Sequence, residues 1–435
     1  MKDKRVNHII TIGFALFAMF FGAGNLLLPP FIGLQVSDSW LWTTLGFMIT
    51  AIIIPFLGII AVVVSGNTFT DLGKRVHKHI GTILGVIIML GIGPLIAIPR
   101  TAATTYEIGF LPLFPSFSPI LASVIFFIIT GLLSISSSKV VDLIGNYLTP
   151  FLILILFSLI IVGLLSPNRP PFIDRFTNID AFVLGFEEGY QTLDVLASVI
   201  FAGIIISAAK MKGYQTAKQK SEIVIASGLL AAFFLLFIYG GLVYLGAISE
   251  NEWSENTKRA PLLLHIAKTH LGAYGTLAMA LCIALACLTT AVALTSAVGS
   301  FFNKLSNNKI GYKTVIVICC VISCVLSITG VDNIIEYAYP FLAFVYPIVI
   351  TLVIYIVFLG KFIKQSNPYL GAVFGTFLIS VVGLLANFGI QIDSVDHFIG
   401  TIPLASYDLA WIVPSIVFFI IFLLIERLKI HKQVT

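Results

Sequence analysis

Residues 20–30 read Phe20-Phe21-Gly22-Ala23-Gly24-Asn25-Leu26-Leu27-Leu28-Pro29-Pro30. They lie in the middle of an apolar run over residues 8–35. A helix of about 28 residues reaches about 42 Å, against a hydrocarbon core of about 30 Å. Two glycines one residue apart favour unwinding, each lowering helix stability by about 1 kcal/mol. Pro29 and Pro30 lack N–H groups, so the carbonyls of Asn25 and Leu26 lose their helical partners. Free carbonyls are costly in lipid unless they line a site. One reading is therefore a broken helix. Its first half ends in carbonyls that can hold a cation, and its second half begins with N–H groups that can hold a carboxylate. The other reading is a kink packed on small residues.

The rest of the chain supports a bilayer setting. Of its 435 residues, 58% are apolar and 10% charged, against about 25% charged in a typical soluble domain. That composition cannot supply the polar surface of a soluble protein of this size, and it excludes disorder and nucleic-acid binding. The apolar runs are continuous, as in 151–165 and 341–359. A closed barrel would instead show short alternating strands. The fold class is thus an all-α polytopic membrane protein. Lys2, Lys4 and Arg5 before an apolar run ending in Gly22-Ala23-Gly24 mimic a secretion signal. The run continues to Leu34, so we read it as a retained first span.

Twelve spans are expected, at 8–35, 41–65, 80–104, 117–135, 140–166, 180–208, 222–247, 270–301, 314–329, 334–360, 369–389 and 409–427. With both termini cytoplasmic, the external segments hold only Arg169, Arg175, Lys258, Arg259 and Lys268, while 19 Lys and Arg fall inside. A miscounted helix would scramble that asymmetry. The net charge of +5 therefore reports orientation rather than an anionic partner. Cys282, Cys287, Cys319, Cys320 and Cys324 all lie in apolar runs and read as small core residues. The histidines form no zinc motif, and no phosphate-binding loop, serine-hydrolase elbow or metalloprotease motif is present. The chain is not expected to be an enzyme.

Three further positions stand out. Asp194 is the one carboxylate placed deep in a span, where it costs about 2.5–3.5 kcal/mol. It faces a cavity or partner if the sixth helix starts near Asp180, and is merely interfacial if it starts near Gly189. Gly189 and Gly203 bracket it, without a Gly pair or Pro at the centre. The eighth span carries Ala286-Cys287-Leu288-Thr289-Thr290. Its hydroxyls either bond back to their own helix or join the freed carbonyls of span 1 in a neutral oxygen cage for a small monovalent ion. The third span holds Gly93-Pro94 and Ile98-Pro99-Arg100-Thr101-Ala102. Arg100, near the external end, either snorkels or pairs with Glu187, Glu188 or Glu336 as a gate. Breaks in spans 1 and 6, which open two sets of five, point to an inverted-repeat secondary transporter.

Phe20–Leu26 with Pro29-Pro30, Gly93-Pro94 through Ala102, and Glu188-Gly189-Tyr190 with Leu193-Asp194 resemble the bacterial branched-chain amino acid:cation symporter family (LIVCS). The resemblance covers most of the chain. It implies a LeuT-like 5+5 inverted repeat within a single domain over 1–435: repeats at 8–166 and 180–360, then two additional helices at 369–427. It also implies Na⁺-coupled uptake of leucine, isoleucine and valine across the bacterial cytoplasmic (inner) membrane. By that resemblance the carbonyls of Ala18, Phe21 and Ala286 and the hydroxyls of Thr289 and Thr290 hold Na⁺, the coupling ion. From the helix breaks themselves, Gly22, Ala23, Gly24, Asn25, Asp194 and Ala197 are expected to bind substrate, and from their external position Arg100, Glu188 and Glu336 are expected to gate. Leu28 stands where related transporters carry a gating Arg, span 7 lacks an Asn, and Asp194 replaces a small polar residue. These departures count against a second sodium site. Proton coupling or another amino acid specificity stays open, as does monomer against homo-oligomer.

Overall fold

In a computed structural model, the break expected at Gly22 appears as a 66° bend between helix α1 (Lys2–Phe20) and helix α2 (Ala23–Val36). The structure describes residues 2–66, 68–77, 79–135, 142, 144–165, 175–249, 254, 257–390 and 393–434. Three basic residues used in the orientation count, Lys78, Lys139 and Arg169, lie outside these.

The next helices are α3 (Trp40–Ser65), α4 (Ile80–Phe110), α5 (Pro119–Ser134) and α6 (Asn146–Leu164). Next come α7 (Asn178–Glu188), α8 (Asp194–Met211), α9 (Ala217–Ala247) and α10 (Arg259–Leu271). The chain continues through α11 (Gly275–Leu305), α12 (Tyr312–Ser327), α13 (Val331–Leu359), α14 (Asn367–Asn387), α15 (Asp393–Gly400) and α16 (Ile412–Val434). Among the described residues, eight helices are long and apolar enough to cross a membrane, or nine with the bent pair; α5 and α12 are shorter apolar helices. Large apolar side chains such as Leu132, Val325 and Leu424 face outward. A lipid-facing surface explains that pattern, whereas a soluble monomer rarely exposes so much contiguous apolar area.

The arms of the site are held by hydroxyls that reach across helices, as expected where apolar burial no longer distinguishes helix from lipid. On α3, Thr43 Oγ1 donates to the Ala181 carbonyl at 2.8 Å, and Thr50 Oγ1 to that of Phe186 at 2.8 Å. These bonds lay α7 along the first half of α3, while α8 packs on its second half. The sixth span is thereby split as well. A single 3₁₀ turn, Gly189–Thr192, follows α7, and Leu193 adopts a left-handed conformation with φ 68° before α8 begins. Asp194 is neither a mid-helix residue nor an interfacial one at the start of an unbroken helix. It is the first residue of α8.

Span 3 runs to Phe110, six residues past its expected end at 104. Arg100 thus lies ten residues, about 15 Å, from that end. A kink with non-helical Gly93 just before Pro94 re-aims the following turn of α4 toward the core.

Candidate functional site

Helical periodicity brings three faces together around one cavity. Asp194, Ala197 and Phe201 lie three and four residues apart on α8, so they share a face. The same spacing aligns Ala97, Arg100 and Thr101 on α4, and Thr290 and Leu294 on α11. The α1–α2 break closes the fourth side with Phe20, Gly22, Ala23 and Asn25. The space available is about 20 Å³, enough for roughly one water. The site is therefore closed in this conformation.

Asn25 ties the two helix breaks together. Its Oδ1 accepts from the Gly22 N–H at 3.3 Å, capping the start of α2. Its Nδ2 donates to Asp194 Oδ2 at 2.5 Å and to the Tyr239 hydroxyl. Tyr239, fully buried on α9, also reaches Asp194 Oδ2 at 3.5 Å. The Asp194 N–H donates to Thr192 Oγ1 at 3.3 Å. Asp194 is 2% exposed, and all of these partners are neutral.

Arg100 corrects the sequence expectation. It is 4% exposed and forms no ion pair within 4.0 Å among the described residues, which pair Arg5 with Glu222, Lys74 with Asp71 and Lys212 with Asp142. Its Nη1 donates to the Gln191 carbonyl at 2.8 Å, while its Nε has no hydrogen-bond partner. Glu188 lies instead where it feels the charge of Arg259, and Glu336 is exposed. Neither meets Arg100 because the kink in α4 and its extra turns draw the guanidinium down beside Gly24. A Cβ on Gly24 would sit 2.8 Å from Arg100 Nη2 and 3.1 Å from the Gln191 carbonyl. The cavity lining thus holds one guanidinium, Arg100, and one carboxyl, Asp194, together with apolar side chains.

A second cluster lies beside the first. Thr289 Oγ1 is 3.0 Å from the Ala18 carbonyl and 2.9 Å from that of Ala286. Thr290 Oγ1 is 3.2 Å from the carbonyls of both Ala18 and Met19. Of the carbonyls expected here, those of Ala18 and Ala286 meet the hydroxyls. No such contact involves Phe21; the Met19 carbonyl stands in its place. A Cβ on Gly22 would meet Thr290 Oγ1 at 3.1 Å, so the glycine lets α11 approach the break. Neutral hydroxyl and carbonyl oxygens of this kind suit a hard monovalent cation. Among the described residues no group of His, Cys, Asp and Glu is placed to hold a metal ion.

Sequence reasoning missed Tyr239 and Gln191. Neither carries a motif: one is an aromatic in an apolar run, the other a polar residue in a turn. Only the fold brings them to Asn25 and Arg100.

The family described as "Branched-chain amino acid transport protein" matches residues 5–429. The branched-chain amino acid permease BraB of Bacillus subtilis is 35% identical over 421 residues, covering 95% of this chain and 94% of that protein. The permease BrnQ of the same organism is 36% identical over 426 residues, covering 95% and 96%. Among solved structures, the nucleobase-cation-symport-1 transporter Mhp1 superposes with a TM-score of 0.57 at 12% identity, over 93% of this chain and 96% of Mhp1. A Na⁺-coupled sialic acid symporter gives 0.56 at 12% identity, over 94% and 88%. At that identity the likeness is one of fold, and the fold is LeuT-like.

Proposed function

The chain belongs to the branched-chain amino acid transport protein family, and from that premise we propose that it couples uptake of leucine, isoleucine and valine to Na⁺ by alternating access. In this reading it has twelve spans, a 5+5 inverted repeat broken in spans 1 and 6, and both termini on the cytoplasmic side of the bacterial inner membrane. The observation that carries it is the closed central cavity lined by Arg100, Asp194 and the apolar Ala197, Phe201 and Leu294. An aliphatic amino acid is a zwitterion with an apolar tail, and this cavity matches it group for group. Its ammonium meets Asp194, beside the carbonyl-rich break. Its carboxylate meets the first N–H groups of α2, at Ala23 and Gly24, and the unspent donor of Arg100. Leucine exceeds the space of about one water, so binding requires α1 and α8 to move apart from α4 and α11.

The coupling ion is assigned to the Ala18, Ala286, Thr289 and Thr290 oxygens, with the Met19 carbonyl in the place expected for that of Phe21. Thr290 lines both the ion cluster and the substrate cavity. Filling one side therefore organises the other, which is the coupling the reading needs. A Na⁺ moving down 100 mV releases about 2.3 kcal/mol, and a tenfold gradient adds about 1.4. One ion can then sustain a leucine ratio of a few hundredfold. Proton coupling is the second reading, favoured by Asp194, a buried carboxyl whose hydrogen-bond partners are neutral. Leucine uptake into proteoliposomes under separate Na⁺ and H⁺ gradients decides between them. Uptake driven by the H⁺ gradient alone rejects the sodium assignment. No uptake of any branched-chain amino acid under either gradient rejects the transport reading.

A further inference from the structure

A second cavity of about 260 Å³ lies between α7, α13, α14 and the α15–α16 segment, an order of magnitude larger than the central one. Glu187, Asp396 and Asp408 line it, and among the described residues no Lys, Arg or His does. Glu187 and Asp408 stand close enough to repel one another. Glu188 is not part of this wall.

The wall also holds buried polar atoms without hydrogen-bond partners. Gln191 is 8% exposed and its Oε1 has none; Ser380 is 5% exposed and its Oγ has none. Tyr190 Oη and Trp411 Nε1 of the same lining are also without partners; a buried polar group left unpaired costs about 1–3 kcal/mol, so this wall calls for a ligand with hydrogen-bonding groups of its own. The remaining surface is aliphatic and aromatic, with Leu342, Ile379, Tyr339 and Trp411. A bare metal ion needs a tight oxygen cage, which a cavity this wide and this apolar does not offer. A cation that brings its own N–H donors and an aliphatic tail suits the carboxylates, the Gln191 and Ser380 oxygens and the apolar surface. The carboxylates attract it, Gln191 and Ser380 accept from it, and the aromatic faces stabilise its charge.

Gln191 also joins the two cavities. It lines the larger one, while its backbone carbonyl holds the Arg100 guanidinium of the smaller. We propose that the larger cavity binds an organic ammonium with a branched aliphatic tail, the amino end of the transported amino acid held before it enters the central cavity. The identity of that occupant rests on the transport reading above; the ammonium chemistry does not.

The test uses 3-methylbutylamine, which is leucine without its carboxylate, and the full-length protein in detergent. Tryptophan emission is followed as the amine is added, because Trp411 lines the cavity. The expected result is a saturable change that Trp411→Phe abolishes. The paired variant Glu187→Gln with Asp408→Asn shifts it at least tenfold to higher concentration, and the milder Ser380→Ala shifts it severalfold. Asp194→Asn leaves it in place. Absence of saturation in the unaltered protein overturns the proposal, as does a signal lost with Asp194→Asn but kept in the outer variants. Equilibrium binding of labelled leucine separates the two readings. If the amine binds as described but leucine does not bind at all, the cation site stands and the transport reading fails. If leucine binds but adds no tryptophan signal sensitive to Ser380→Ala, the amino acid is not its occupant and the proposal is overturned.

Discussion

Asn25 Nδ2 donates to Asp194 Oδ2 at 2.5 Å, across 169 residues of sequence. One side chain thereby caps the second half of span 1, through the Gly22 N–H, and fixes the carboxylate that starts the second half of span 6. The two breaks are not independent: a change at either residue reaches both.

The first prediction follows from this link. Asp194→Asn keeps the shape and deletes the charge. If the carboxylate binds the substrate ammonium, leucine affinity falls at least tenfold at every pH, in line with about 1.5–3 kcal/mol for a charged hydrogen bond. Uptake and leucine–leucine exchange are measured together across pH. Loss of pH dependence with exchange spared would show that Asp194 carries a coupled proton. Unchanged kinetics at all pH values would remove it from the site.

Arg100 is expected to read the carboxylate. The unaltered protein should prefer leucine to leucinamide by about tenfold or more, the scale of a charge-assisted bond. Arg100→Gln should abolish that preference by weakening leucine alone. Arg100→Lys keeps the charge but not the planar fork, and should fall between. Competition binding in detergent checks this; a preference that survives Arg100→Gln assigns the carboxylate elsewhere.

The ion cluster makes its own demand. Thr289→Val removes the hydroxyl near the Ala18 and Ala286 carbonyls without opening a hole. The Na⁺ concentration for half-maximal uptake should rise about tenfold, as much as for Thr289→Ala. Normal Na⁺ dependence in the valine variant would place the ion elsewhere.

The glycines of the first break are predicted to differ in what they protect. A side chain on Gly22 meets Thr290, and one on Gly24 meets Arg100. Gly22→Ala should raise the Na⁺ requirement most, and Gly24→Ala should weaken leucine binding most. Leucine at either position should abolish uptake while the protein stays folded. Retained uptake by both leucine variants would reduce these glycines to packing.

Leu193 carries backbone strain at the second break, with φ 68°. A β-branched residue tolerates that conformation poorly. Leu193→Ile should therefore lower stability by about 1–2 kcal/mol more than Leu196→Ile, a change of the same kind at a fully buried position of α8. Thermal unfolding of the two variants in the same detergent compares them. Equal losses would mean that the left-handed residue contributes nothing to the break.

The sequence by itself determined the parts of this protein that depend on local composition and spacing. Continuous apolar runs demand helices in lipid, and Gly22-Ala23-Gly24-Asn25 with Pro29-Pro30 marks where the first of them is either broken or kinked; the structure puts the break at Gly22 and carries α2 through both prolines. Thr289 and Thr290 were legible as a pair of hydroxyls in an apolar span, and Asp194 as a charge out of place. The tertiary structure decided what these residues meet. The second break has no Gly pair or Pro to announce it; it comes from a 3₁₀ turn and a strained leucine that packing against α3 holds in place. Arg100 looked like a rim residue because its depth depends on a kink and on where α4 ends, neither of which periodicity reports. Tyr239 and Gln191 had no signal at all. A hydrogen bond across 214 residues, such as Asn25 to Tyr239, exists only once the helices are packed, since no local propensity encodes which distant side chain will satisfy a buried polar group.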